Sequence, residues 1–343
     1  MRAHFTFFVA IFLINCGQVF NYGTINAPAL INPSQDAQNI LIAPDRTVVL
    51  DQMFPHRIFY QRQLINNTYT GLNSGNPLVP GNYFPLTGST FQDLLYATIA
   101  GPMNTFTGYM YSSLEIIQGP SYGPILIEIL VVAGSDKQAV IDAYNKNPYY
   151  GGTLADAVSS RTQNDYRNFL QELIRRNREP DTQSVNTNDV NAAIFGLGIE
   201  CTNWNNGRNL IDYILMEKSI QFAQQVINQF PAANKGKTLV QAVYDNISDP
   251  NLKYGYASLI YYILDPVDWV AARIHDSQNE LDQHATKILF IVPYSECCLY
   301  EINLMFKKKY GMTIGQYLRS NNPQDPVDLM LAAIADDAIV GYI

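Results

Sequence analysis

The sequence predicts an all-α protein built from a repeated helical unit. Three observations carry this expectation. The segment Thr153-Leu154-Ala155-Asp156-Ala157-Val158 returns as Thr238-Leu239-Val240-Gln241-Ala242-Val243, and more loosely as Thr313-Ile314-Gly315-Gln316-Tyr317-Leu318. An apolar run precedes each copy, at Leu126 to Leu130, Leu210 to Leu215 and Ile288 to Val292. No alternating strand pattern of useful length lies between them. A period of roughly 70–90 residues makes each copy one supersecondary unit.

The elements follow in order. Met1-Arg2-Ala3-His4 precedes a ten-residue apolar run, Phe5 to Ile14, and then Asn15-Cys16-Gly17. This has the layout of a signal peptide over residues 1–17, cut somewhere in 16–22, and ten residues are too few to span a bilayer. The chain is therefore expected to be secreted. Residues 18–45 are polar and aperiodic, and read as an extended N-terminal arm.

Helical patterns follow. Tyr166, Phe169, Leu170, Leu173 and Ile174 form an amphipathic stripe. Its equivalents are Phe91, Leu94, Leu95, Ile99; Tyr256, Leu259, Ile260, Ile263, Leu264; and Leu329, Met330, Ala333, Ile334. A terminal helix thus recurs near 91, 166, 256 and 326. An earlier helix, such as Asp136 to Asn145, is stopped by Gly151-Gly152 in one copy and by Gly311 in another. Thr153, Thr238 and Thr313 supply N-caps for the next helix. The third unit is longest. Its five extra residues are placed before the last helix, around Asp249 to Lys253, with Pro250 marking a turn. The total is four units of about five helices.

Composition narrows the function. The chain has 343 residues, 47% of them apolar, enough for a large core or several small ones. A net charge of −8 offers no basic face to nucleic acid. His4, His56, His275 and His284 are scattered, with no constellation for zinc or catalysis, so the protein reads as a non-enzyme. Asp325 with Asp328, and Asp336 with Asp337, read as solvated helix ends. If Cys16 lies at the cut, Cys201, Cys297 and Cys298 remain. They are either buried thiols, or Cys201 bridges one of the pair. Asn66 and Asn246 head two N-x-S/T sequons.

At this point the residues resemble the annexin family. Leu126 to Leu130 through Tyr166 to Leu170, and Ile288 through Ala333 with Phe306-Lys307-Lys308-Lys309-Tyr310-Gly311 inside it, carry the likeness. It extends over about residues 45–340. The resemblance implies repeats at 46–102, 103–180, 181–265 and 266–343, forming a curved disc. It also implies binding to anionic phospholipid through calcium. Loop carbonyls between the first two helices supply part of the calcium shell, and a carboxylate about 40 residues on supplies a bidentate pair.

Checked residue by residue, the implied ligands are poor. The second-repeat loop is Gln118-Gly119-Pro120-Ser121-Tyr122, and Arg161 stands at the carboxylate position. The third-repeat loop lies near Asn203 to Gly207, with Asn251 at the carboxylate position and Asp249 nearby. The fourth has Asn279-Glu280-Leu281-Asp282 and Asn321; the first has Pro85 or Leu86. Gly119, Ser121 and Asp249 are the candidate metal ligands, so calcium binding is weak or lost. Gly196-Leu197-Gly198 imitates the loop but lies 14 residues before Leu210, and reads as close-packed helix.

Asp165 and Asp325 read as caps in the first turn of the last helices. Lys307-Lys308-Lys309 reads as a solvated helix end. Tyr122 and Trp204 are the candidate exposed aromatics for lipid contact. Two functions remain. One is a secreted, annexin-like protein peripheral on phospholipid, with degenerate calcium sites. The other is a secreted scaffold that binds a protein, cytoskeletal or matrix partner without calcium.

Overall fold

The computed structural model of the protein describes residues 28, 30–80, 90–116, 123–181, 184–202, 204, 208–280 and 283–340. The described residues form eighteen α-helices with short 3-10 and π turns, and no strand among them. The expected leader, 1–17, lies outside the described residues. No helix among the described residues is long and apolar enough to cross a membrane. The chain divides into two compact units, Met1–Ser112 with Val270–Ile343, and Ser113–Trp269.

In the first unit, α1 (Pro33–Ile42) starts where Asn32 accepts the Gln35 N–H at 3.2 Å and Pro33 fills the first turn. The sequence placed this stretch in an extended arm. It is helical instead, because Ala37 and Ile40 bury one turn apart and Asp36 pairs with Arg57. Two buried residues are too few to register as a periodic stripe. Next come α2 (Arg46–Met53) and α3 (Phe59–Leu72), and α1 packs on both. Then α4 (Thr90–Ile116) is broken at Gly101, where φ is 81° and Pro102 follows. A Cβ at Gly101 would come within 2.6 Å of the Phe59 ring, so glycine answers both backbone and space.

The second unit begins with α5 (Gly123–Ala133), α6 (Lys137–Lys146), α7 (Leu154–Arg161) and α8 (Asn164–Arg175). Thr153 accepts the Asp156 N–H at 3.1 Å and caps α7. The α8 stripe buries Tyr166, Phe169, Leu170 and Leu173, as the periodicity required. After these come α9 (Thr187–Thr202), α10 (Asn209–Asp212, running on as a π turn to Glu217), α11 (Ile220–Ala233), α12 (Leu239–Asn246) and α13 (Pro250–Leu264). The linker before α9 is held down by Arg178, which donates to the carbonyls of Lys218 and Leu215.

The chain then passes through α14 (Pro266–Asp276) and returns to the first unit. It continues with α15 (Gln283–Ile291), α16 (Leu299–Tyr310), α17 (Ile314–Asn321) and α18 (Pro326–Val340). Thr238 and Thr313 begin α12 and α17 in full capping boxes with Gln241 and Gln316. Gly311 ends α16 in the left-handed conformation, with φ 79°. Gly151 instead lies in the loop beyond α6, which ends at Lys146.

Two expectations about polar groups change. Asp328 and Asp337 are buried, not solvated. Asp328 pairs with Lys287, and Asp337 meets His56 Nδ1 at 2.8 Å. Of the two readings of the cysteines, that of buried thiols holds: Cys201, Cys297 and Cys298 are buried and in no disulfide. Burial pushes the Cys201 thiol up to about 12, the behaviour of an inert core residue.

Candidate functional site

Three separate candidate positions are set by where α7, α12 and α17 end and the next helix begins. Arg161, Asn246 and Asn321 are the last residues of those three helices. This corrects the third position. Counting from sequence gave Asn251, because the extra length was placed before the last helix. In the structure α13 already starts at Pro250, so the added residues lie within the helix and Asn251 sits in its first turn. Pro85 and Leu86 lie outside the described residues.

Each of the three ends has its own chemistry. Arg161 Nη2 lies 2.7 Å from Glu115 Oε1, with both side chains close to half exposed. The α7 and α4 ends are thus joined by an ion pair. Asn246 is exposed, and its Nδ2 donates to the Ala242 carbonyl at 2.8 Å. Asn321 is exposed as well. Its neighbour Asn322 donates to Asp328 Oδ2 at 2.6 Å. Asp328 in turn accepts Lys287 Nζ on both oxygens, at 3.0 and 2.9 Å, with neither side chain exposed at all. Gln283 Oε1 takes a further Lys287 proton at 3.1 Å.

The remaining candidates separate. Gly119, Ser121 and Tyr122 lie outside the described residues. Asp249 is the N-cap of α13, and its Oδ1 accepts the N–H groups of Asn251 and Leu252 at 2.8 and 3.1 Å. Trp204 was expected to be exposed. It is only 7% exposed and stands edge-on to Tyr256, 5.9 Å between centroids. Its polar neighbours in sequence gave no sign of that partner. In the fourth-repeat loop Glu280 is committed to Arg273 at 2.7 Å, and Leu281 and Asp282 lie outside the described residues.

Asp325 caps α18, accepting the Val327 N–H at 2.8 Å, as expected. Asp165 stands in the first turn of α8, as expected, and also pairs with Arg208 at 2.9 Å, which holds its carboxyl below the usual range. Gly196 and Gly198 lie inside α9, where a Cβ would come 2.6 Å from Leu210 and 2.8 Å from Asn234 respectively. They are packing glycines, as their spacing indicated. Of the two sequons, Asn246 is exposed, whereas Asn66 sits within α3 and accepts the Leu78 N–H at 3.1 Å.

Sequence reasoning missed Glu115 and the Lys287–Asp328 pair. The signal was present for the pair: each charge interrupts an otherwise apolar stretch, and buried charges require partners. Among the described residues, no group of three or more His, Cys, Asp or Glu side chains is placed to hold a metal ion.

No protein-family model matches the chain. Solved structures do. Annexin III superposes with a TM-score of 0.74 at 22% identity, over 92% of this chain and 98% of that one. Chicken annexin V in complex with zinc gives a TM-score of 0.77 at 20% identity, over 92% and 99%. The fold is that of the annexins. Calcium-bound annexin (Sm)1 matches more distantly, with a TM-score of 0.65 at 18% identity over 92% and 93%.

Proposed function

We propose that the protein is a peripheral phospholipid-binding protein of the annexin type whose calcium dependence is weak or lost. The fold supports the phospholipid half of this reading. The residues at the three helix ends, Arg161, Asn246 and Asn321, support the calcium half. Calcium is a hard cation that takes charged, often bidentate, oxygen ligands. At the three described helix ends the side chains are one guanidinium and two amides. The nearby Asp249 has an oxygen committed to capping α13. These residues do not fit a charged calcium shell. Carbonyl ligands alone would leave a dissociation constant on the order of millimolar, the weakest extracellular class.

The experiment is sedimentation with phosphatidylserine vesicles, with chelator and with several millimolar calcium. Binding that survives the chelator supports the reading. Binding in neither condition favours the second reading, a scaffold for a protein, cytoskeletal or matrix partner. One observation leans toward that scaffold: Phe195 and Ile199, one turn apart on α9, are 72% and 57% exposed. We also retain repeat boundaries at 46–102, 103–180, 181–265 and 266–343. Export through the leader at 1–17 remains part of the proposal. N-terminal sequencing of protein recovered from medium tests it, and a chain still beginning at Met1 would oppose it.

A further inference from the structure

The turn between α7 and α8 gathers three guanidiniums. Arg161 closes α7 and touches Glu115 through one Nη. Arg167 reaches back from α8 to the Thr162 carbonyl, with its Nε at 2.7 Å. Arg208 meets Asp165 at 2.9 Å. Around this turn Gln163, Asn164 and Asp165 are exposed, and Asn164 holds a φ of 54° that turns the chain sharply between the two helices. Of these cations, Arg161 is paired with Glu115 and Arg208 with Asp165, and Arg208 also feels Asp212 and Glu200.

The three differ in what they can reach. Arg208 is largely buried, and Arg167 is tied to the backbone it came from. Arg161 is 44% exposed and makes a single hydrogen bond to a described residue. Glu115 fixes one edge of the planar, five-donor fork, and among the described residues nothing else accepts from the rest of it. That fork matches a pair of phosphate oxygens. A metal ion is needed to join two anionic surfaces, but not where the protein itself supplies the cation.

We propose that Arg161, positioned by Glu115, binds the phosphate of an anionic phospholipid headgroup directly and without calcium. This rests on the phospholipid reading above. The test is sedimentation of the full chain with phosphatidylserine–phosphatidylcholine vesicles in chelator. Arg161→Ala is expected to weaken binding about fivefold, the worth of one arginine at an anionic surface. Arg161→Lys keeps the charge but loses the fork, and should fall between the two. Arg161→Asp should lose binding in chelator and recover part of it in millimolar calcium.

Inorganic phosphate, added at matched ionic strength, separates the sources. The proposal expects the vesicles to stay bound, and displacement would assign the site to free phosphate and overturn the lipid assignment. Undiminished binding by Arg161→Ala also overturns it. If the wild-type chain sediments only with calcium, the phospholipid reading stands and this inference falls. If it never sediments, both fall.

Discussion

Asp212 is a carboxylic acid removed from water, accepting the Tyr256 hydroxyl at 2.6 Å. Burial pushes it up to about 6, from an ordinary value of 3.8, against the opposing pull of the Tyr256 bond and of Arg176 and Arg208. Between those two values the folded chain holds a proton that the unfolded chain releases. The group's contribution is therefore fully present below about pH 4 and is lost as pH rises through about 6. Asp212→Asn keeps the acceptor and removes the titration. In denaturant melts the variant should gain on the wild type steadily from pH 4 to 7. A constant offset across that range would contradict a buried acid. Gly255 is a second decisive residue. A Cβ there would lie 2.6 Å from the Phe169 ring. Helix propensity alone favours alanine by about 1 kcal/mol. Overpacking costs about 1–3 kcal/mol. Gly255→Ala should therefore destabilise in urea titrations, and a gain in stability would show that the ring gives way freely. Neither residue was legible in the sequence, because each takes its meaning from a partner on another helix. Trp204 is the same case: its implied place in a lipid-facing loop suggested exposure, and Tyr256 hides it.

At the scale of elements, local chemistry was the most readable layer. Thr153, Thr238 and Thr313 all cap the helices assigned to them, since a hydroxyl and an N–H three residues on need nothing from elsewhere. Thr238→Ala should cost about 1 kcal/mol, measured by chemical denaturation, with Thr238→Ser close to neutral. The register of α13 was misread for a local reason too. Its buried stripe begins at Leu252 and passes through Gly255 before Tyr256 and Leu259. Glycine at a stripe position hides the first turn from a search for apolar side chains. The stripe therefore seemed to start at Tyr256, and the carboxylate position slid from Asn246 to Asn251. Lys287 and Asp328 tie α15 to α18 with both charges out of water. Removing one partner strands the other. Lys287→Met should cost about 3–5 kcal/mol in equilibrium unfolding, and Asp328→Leu on that background should restore a large part of it. Additive losses in the double variant would contradict a coupled pair.

For the whole molecule, periodicity and family likeness were enough to anticipate the all-α fold, and the annexin structures superpose on nearly all of the chain. The site was less legible. Its ligand positions depend on where helices end to within a residue, and on cations brought in from elsewhere. Arg161 could be read as a cation in the wrong place for calcium. That Glu115 holds it, half exposed, could not. We therefore propose a separation between the annexin fold and a degenerate calcium site. Titration calorimetry of calcium into the purified protein tests that separation most directly. The account predicts no site tighter than about millimolar. A saturable micromolar site would contradict it.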